Sequence, residues 1–98
     1  MSPEEAKSKL RENNDIILLD IRTKEEYDEK HIPNCILIPL DNLNNEVENK
    51  IENKESEIIV YCRSGRRSKL ACQKLVNLGY RNLYNLEGGI KNWKYETG

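Results

Sequence analysis

The stretch IIVYCRSGRRSK, Ile58 to Lys69, decides the fold. Four apolar residues run into Cys62. Three arginines, two serines and a glycine follow within six positions, without one acidic residue. An apolar run of this kind is expected as a strand buried on both faces. Behind it, SKLACQKLVNLG predicts a helix with Leu70, Ala71, Leu75 and Leu78 inward and Gly79 as its stop. The cysteine therefore lies between the carboxyl end of a strand and the start of a helix. In open α/β sheets that is where ligands bind.

The rest of the chain repeats the pattern. At 98 residues it is long enough for one small domain. Apolar residues are bunched in IILLDI (16–21), CILIPL (35–40) and LYNL (83–86), which outweighs the hint of disorder in a mean hydropathy of −0.83. Two capping boxes announce helices: Ser2 with Glu5, with Pro3 at the first helical position, and Thr23 with Glu26. Between Pro33 and Pro39 a turn leads into a strand. Leu43, Val47 and Ile51 recur every fourth residue, a narrow stripe on a surface helix. RNLYNLE reads as a short strand, GG as a turn and IKNWKYE as a last short helix. The expected fold is a single small α/β domain with a mainly parallel four- to five-stranded sheet and helices on both faces.

Formal net charge is −1, so there is no global footprint for nucleic acid. The charge is split, however. Residues 1–57 carry a net of −7, whereas residues 58–86 carry six cations and no acid. A local positive field on a near-neutral chain points to an anion. Three cysteines without a CxxC pair, and a single histidine, argue against a disulfide framework or a zinc site. No apolar run approaches membrane-spanning length and no signal-type N-terminus is visible, so a reducing cytoplasmic setting is expected.

The chemistry of the loop follows from its position. Only a thiolate is a strong nucleophile, and a helix N-terminus lowers a thiol's pKa. A loop that curls round the sulfur can aim successive backbone N–H groups at it, and Gly65 removes the side chain that would obstruct the curl. Arg63, Arg66 and Arg67 add charge and planar donors suited to oxyanions. The expected substrate is a small anion open to attack by Cys62, and the expected catalysis is covalent.

CRSGRRS after a buried strand resembles the active-site loop of the rhodanese (sulfurtransferase) family. LLDIRTKEEYDEKHIPNCILIP resembles the family's Asp-x-Arg segment and its His-Ile-Pro-Gly-Ala stretch. LEGGIKNW resembles its Gly-Gly-x-x-x-Trp segment. The three occur in the family order and span nearly all of residues 1–98. The resemblance implies that Cys62 takes a sulfane sulfur from a small anionic donor such as thiosulfate, or from a persulfide donor. The resulting persulfide passes it to a thiol, a protein or another thiophilic acceptor, with no metal or organic cofactor. Arg63, Ser64, Gly65, Arg66 and Arg67 would bind substrate, and which arginine meets it stays open. Protein phosphatases of related fold space cysteine and arginine by five residues. That position is Ser68 here, and Tyr61 replaces their usual histidine, so phosphatase and arsenate reductase rank below sulfur transfer. A low-turnover persulfide carrier or protein-interaction module is the alternative.

The remaining residues are read more plainly. Asp20 and Arg22 form a structural ion pair. Glu26 caps its helix and is a second partner for Arg22. Ser68 caps the helix after the loop. His31 is a turn residue, and Cys35 and Cys72 are small core residues. Asn34-Cys35 replaces the family's Gly-Ala, and Asn tolerates the left-handed turn. The family's N-terminal edge strand is expected to be missing.

Overall fold

The computed structural model describes all 98 residues. Four helices, α1 (Pro3–Glu12), α2 (Lys24–Glu29), α3 (Leu43–Lys50) and α4 (Arg66–Asn77), alternate with β1 (Ile17–Asp20), β2 (Ile36–Leu37), β3 (Glu57–Tyr61) and β4 (Asn82–Asn85). All strand pairs are parallel, in the order β2-β1-β3-β4. The expected α/β fold is therefore present, with four strands.

Both capping boxes form, with the Ser2 and Thr23 hydroxyls accepting from the N–H of Glu5 and Glu26. Strand periodicity divides the core in two. Leu19, Ile58, Val60 and Cys62 point to the face covered by α3 and α4, where Leu43, Val47, Ala71 and Leu75 meet them. Leu18, Ile59 and Tyr61 point to the other face, against Ala6 of α1, Leu86, Ile90 and Trp93. The two central strands are thus apolar at nearly every position because both their faces are dry. Met1 lies beside the end of β4: its carbonyl accepts from Glu87 N–H at 2.8 Å, and its ammonium donates to the Asn85 carbonyl at 3.0 Å. No helix is long and apolar enough to cross a membrane.

Three local expectations are corrected. Leu70 is 52% exposed, not inward. The buried stripe of α4 is Ser68, Ala71 and Leu75, because the polar Ser68 takes the inward place beside Cys62. The strand expected in CILIPL shrinks to two residues, squeezed between the positive-φ turn at Asn34 and Pro39, which has no N–H to give. The last helix is a single 3₁₀ turn, Ile90–Asn92, after which Trp93 returns to extended backbone.

Candidate active site

β3 delivers Cys62 to the carboxyl edge of the sheet, and the side-chain alternation turns its thiol toward α4. Gly65, at φ +103°, lets the chain double back before α4 begins. That curl brings Gly65 N–H to 3.0 Å from Cys62 Sγ. Ser68 Oγ, one turn into the helix, lies 3.4 Å from the same sulfur. Burial pushes the Cys62 thiol up. The Ser68 hydroxyl and the N–H groups of Ser68, Gly65 and Ser64 more than offset it, so its pKa lies below the ordinary thiol value. Cys62 itself is only 1% exposed.

The LEGG turn forms a second wall. Ile90 N–H donates to the Cys62 carbonyl at 2.9 Å and Lys91 N–H to the Arg63 carbonyl at 3.0 Å. This approach needs glycine at 89, whose backbone (φ +61°, ψ −158°) only glycine adopts readily. A Cβ there would sit 2.5 Å from the Arg63 carbonyl oxygen and closer still to that of Cys62. Gly89→Ala is expected to cost about 3 kcal/mol, the strain of such a backbone, and to push the cysteine loop off β3. Chemical denaturation, with iodoacetamide reactivity of Cys62, checks it; wild-type values for both would show that the turn does not shape the loop.

Beneath the loop lies a buried polar network on the opposite face. Arg22 holds Asp20 through Nε at 3.0 Å and Nη2 at 2.8 Å, and Nη2 also reaches the Lys30 carbonyl at 2.7 Å. Tyr61 O–H donates to Asp20 Oδ2 at 2.8 Å and receives the Ile32 N–H at 3.1 Å. Burial and the Asp20 charge push the Tyr61 hydroxyl up, so it stays a donor. These bonds tie the Asp-x-Arg segment and the His-Ile-Pro turn to the residue just before Cys62. His31 stacks on the Tyr27 ring, with Nδ1 2.9 Å from that residue's carbonyl, a turn residue as expected.

A family model for the rhodanese-like domain matches residues 2–96. The chain belongs to the rhodanese-like family. Among curated relatives, the thiosulfate sulfurtransferase GlpE of Coxiella burnetii is 36% identical over 80 residues, covering 82% of this chain and 73% of GlpE. YrkF of Bacillus subtilis, named as a candidate sulfur carrier, is 34% identical over 99 residues. That match covers 99% of this chain, which spans about half (51%) of YrkF's length. The solved human single-domain sulfurtransferase TSTD1 superposes with a TM-score of 0.86 at 25% identity, covering 98% of this chain and 96% of TSTD1.

Within this rhodanese-like loop the expected site residues divide. Cys62, Ser64 and Gly65 come together around the sulfur. Arg67 does not stand free for substrate. Its Nη1 and Nη2 donate to the two Glu26 carboxylate oxygens at 2.7 and 2.9 Å. This fork bridges α4 to α2, and the Arg67 hydrogen bonds hold Glu26 down at about 2, against burial. Glu26 therefore caps its helix as expected but pairs with Arg67, not Arg22, whose guanidinium is already filled by Asp20. Arg63 and Arg66 are exposed and form no ion pair. Arg63 borders a cleft of about 420 Å³ with Lys30, Lys91 and Ile90. Ser68 is no cap: Gly65 holds the N-cap position, and Ser68 bonds the sulfur. Cys35 and Cys72 are half-buried and free, nearer the surface than expected. Sequence reading missed Asn85 on β4, which bonds both Ser68 and the Gly65 carbonyl. Nothing in its sequence setting distinguished it from any other strand-end asparagine.

Proposed function

We propose that the protein is a sulfurtransferase that carries sulfane sulfur as a persulfide on Cys62. The observation that carries the reading is the Gly65 N–H held 3.0 Å from a buried, acidified thiol. A thiolate at Cys62 attacks the outer sulfur of thiosulfate. The new S–S bond forms as the old one breaks, and sulfite leaves with the electron pair. The persulfide's anionic sulfur is stabilised by the same loop donors. A thiolate or cyanide acceptor then attacks that sulfur, and Cys62 departs as thiolate, ready for the next cycle. Arg63 and Arg66 are the loop cations free to meet the donor. With Arg67 tied to Glu26 and a serine at 68, the loop has no arginine where a phosphatase needs one.

After incubation with thiosulfate, intact-mass measurement is expected to show a gain of about 32 Da, the mass of one sulfur added to the nucleophile, removed by cyanide. An unmodified protein would overturn the reading for thiosulfate. A second reading, a low-turnover carrier that delivers sulfur to a docked protein, is favoured by the 1% exposure of Cys62 and by the likeness to YrkF. It predicts stoichiometric loading with negligible steady-state turnover on small acceptors.

A further inference from the structure

Asn85 makes two hydrogen bonds to the cysteine loop, and together they settle where one hydrogen sits. Its Nδ2 donates to the Gly65 carbonyl at 3.2 Å. A carbonyl only accepts, so the amide nitrogen must face Gly65 and the amide oxygen must face Ser68. Asn85 Oδ1 lies 2.5 Å from Ser68 Oγ, and the only hydrogen available to that contact is the serine hydroxyl's. Ser68 is fully buried and has one such hydrogen to give. While Asn85 holds it, Ser68 Oγ can only accept, and it accepts from the Cys62 S–H at 3.4 Å. That arrangement suits the neutral thiol. A thiolate has no hydrogen to offer and needs donors.

We propose that Asn85 is a positioning residue that competes with the Cys62 sulfur for the single Ser68 hydroxyl hydrogen, and so sets how readily the nucleophile ionises. The proposal rests on Cys62 being the nucleophile. On ionisation the thiol proton leaves to solvent. Ser68 keeps its own hydrogen and rotates it from Asn85 Oδ1 to Sγ, with no covalent bond in the serine broken. Asn85 Oδ1 then loses its donor in a part-buried place, a cost charged against the thiolate. Asn85 therefore holds the Cys62 pKa above the value that the loop donors alone would set. When the thiolate takes up a proton from solvent again, the hydrogen swings back to Asn85 Oδ1. The charged groups around the thiol stay the same throughout. The charged group that feels the sulfur is Arg67 on α4, paired with Glu26 on α2; the Asp20–Arg22 pair lies across the sheet on its other face, and Arg63 in the loop is exposed.

The test is the pH profile of iodoacetamide alkylation of Cys62 in the full chain. Ser68→Ala is expected to raise the midpoint by about one pH unit, the worth of one hydrogen bond to the charged form. Asn85→Ala is expected to lower it by a similar amount, because the serine hydrogen is freed for the sulfur. The double variant is expected to behave as Ser68→Ala. If Asn85 merely braces the loop, both single variants shift upward, and that result overturns the proposal. So does a downward shift from Asn85→Ala that persists without Ser68. A readout in the wild type guards against variants that do not fold: the Asn85 side-chain ¹³Cγ resonance is expected to titrate with the Cys62 midpoint, and a flat resonance overturns the proposal. Alkylation needs no sulfur donor, so a failure of sulfur transfer and a failure of this proposal remain distinguishable.

Discussion

Cys62→Ser is expected to bring the proposed sulfur transfer from thiosulfate to cyanide down to background, a fall of at least about a thousandfold in kcat/KM, as the loss of a covalent nucleophile would. The hydroxyl is close to the thiol in size and can still receive the Gly65 N–H, so the fold survives and the loss is chemical. Serine cannot form a persulfide, and its hydroxyl is not acidic enough to ionise in this loop. Neither remaining cysteine can substitute. Burial pushes the thiols of Cys35 and Cys72 up, and neither sits at a helix N-terminus beside loop donors. Cyanide-coupled kinetics on Cys62→Ser and Cys62→Ala measure the effect. Retention of a tenth of the activity by either would place the nucleophile elsewhere.

The second large effect is on stability. Asp20→Ala leaves the Arg22 guanidinium, 5% exposed, without its carboxylate, and strips the Tyr61 hydroxyl of its acceptor. Breaking a buried pair from one side costs about 3–5 kcal/mol. A 98-residue domain has a total stability of roughly 5–15 kcal/mol. The expected result is a melting temperature lower by at least about 12 °C, at a few degrees per kcal/mol for a domain of this size. The proposed sulfur transfer is expected to fail at temperatures where the wild type is still folded. The companion variant, Asp20→Leu with Arg22→Met, removes both charges and restores apolar volume. It is expected to recover part of the loss, since the damage in the single variant is the uncompensated charge. Differential scanning calorimetry decides. A fall of under about 1 kcal/mol, the size of a typical surface effect, would mean the pair is solvated in solution.

The legible and illegible parts of this protein separate by the range of the forces involved. α1 and α2 were readable because Ser2, Glu5, Thr23 and Glu26 state their helix starts within four residues. β1 and β3 were readable because both faces of a central parallel strand are buried, leaving continuous apolar runs. The helix phase of α4 was misread at Leu70. Hydrophobicity alone nominates leucine for the interior, yet the inward place belongs to Ser68 because the sulfur requires a hydroxyl there. Glu26 illustrates the same limit. Its capping role is local and was evident, whereas its ionic partner depends on how α2 and α4 approach each other, 41 positions apart in sequence.

The family, the α/β fold and the cysteine loop on which the proposed chemistry rests were already legible in the residues alone. A buried strand, a cysteine, a glycine-hinged cationic loop and a helix gather the Ser68 hydroxyl and successive backbone N–H groups around the sulfur from contiguous residues. Which loop arginines are free, what Ser68 bonds, and that Asn85 on β4 reaches the loop became visible once the sheet had assembled. Those assignments turn on hydrogen bonds between segments brought together by the parallel sheet. A hydrogen bond is decided within a few tenths of an ångström, far finer than any pattern of residue types can specify.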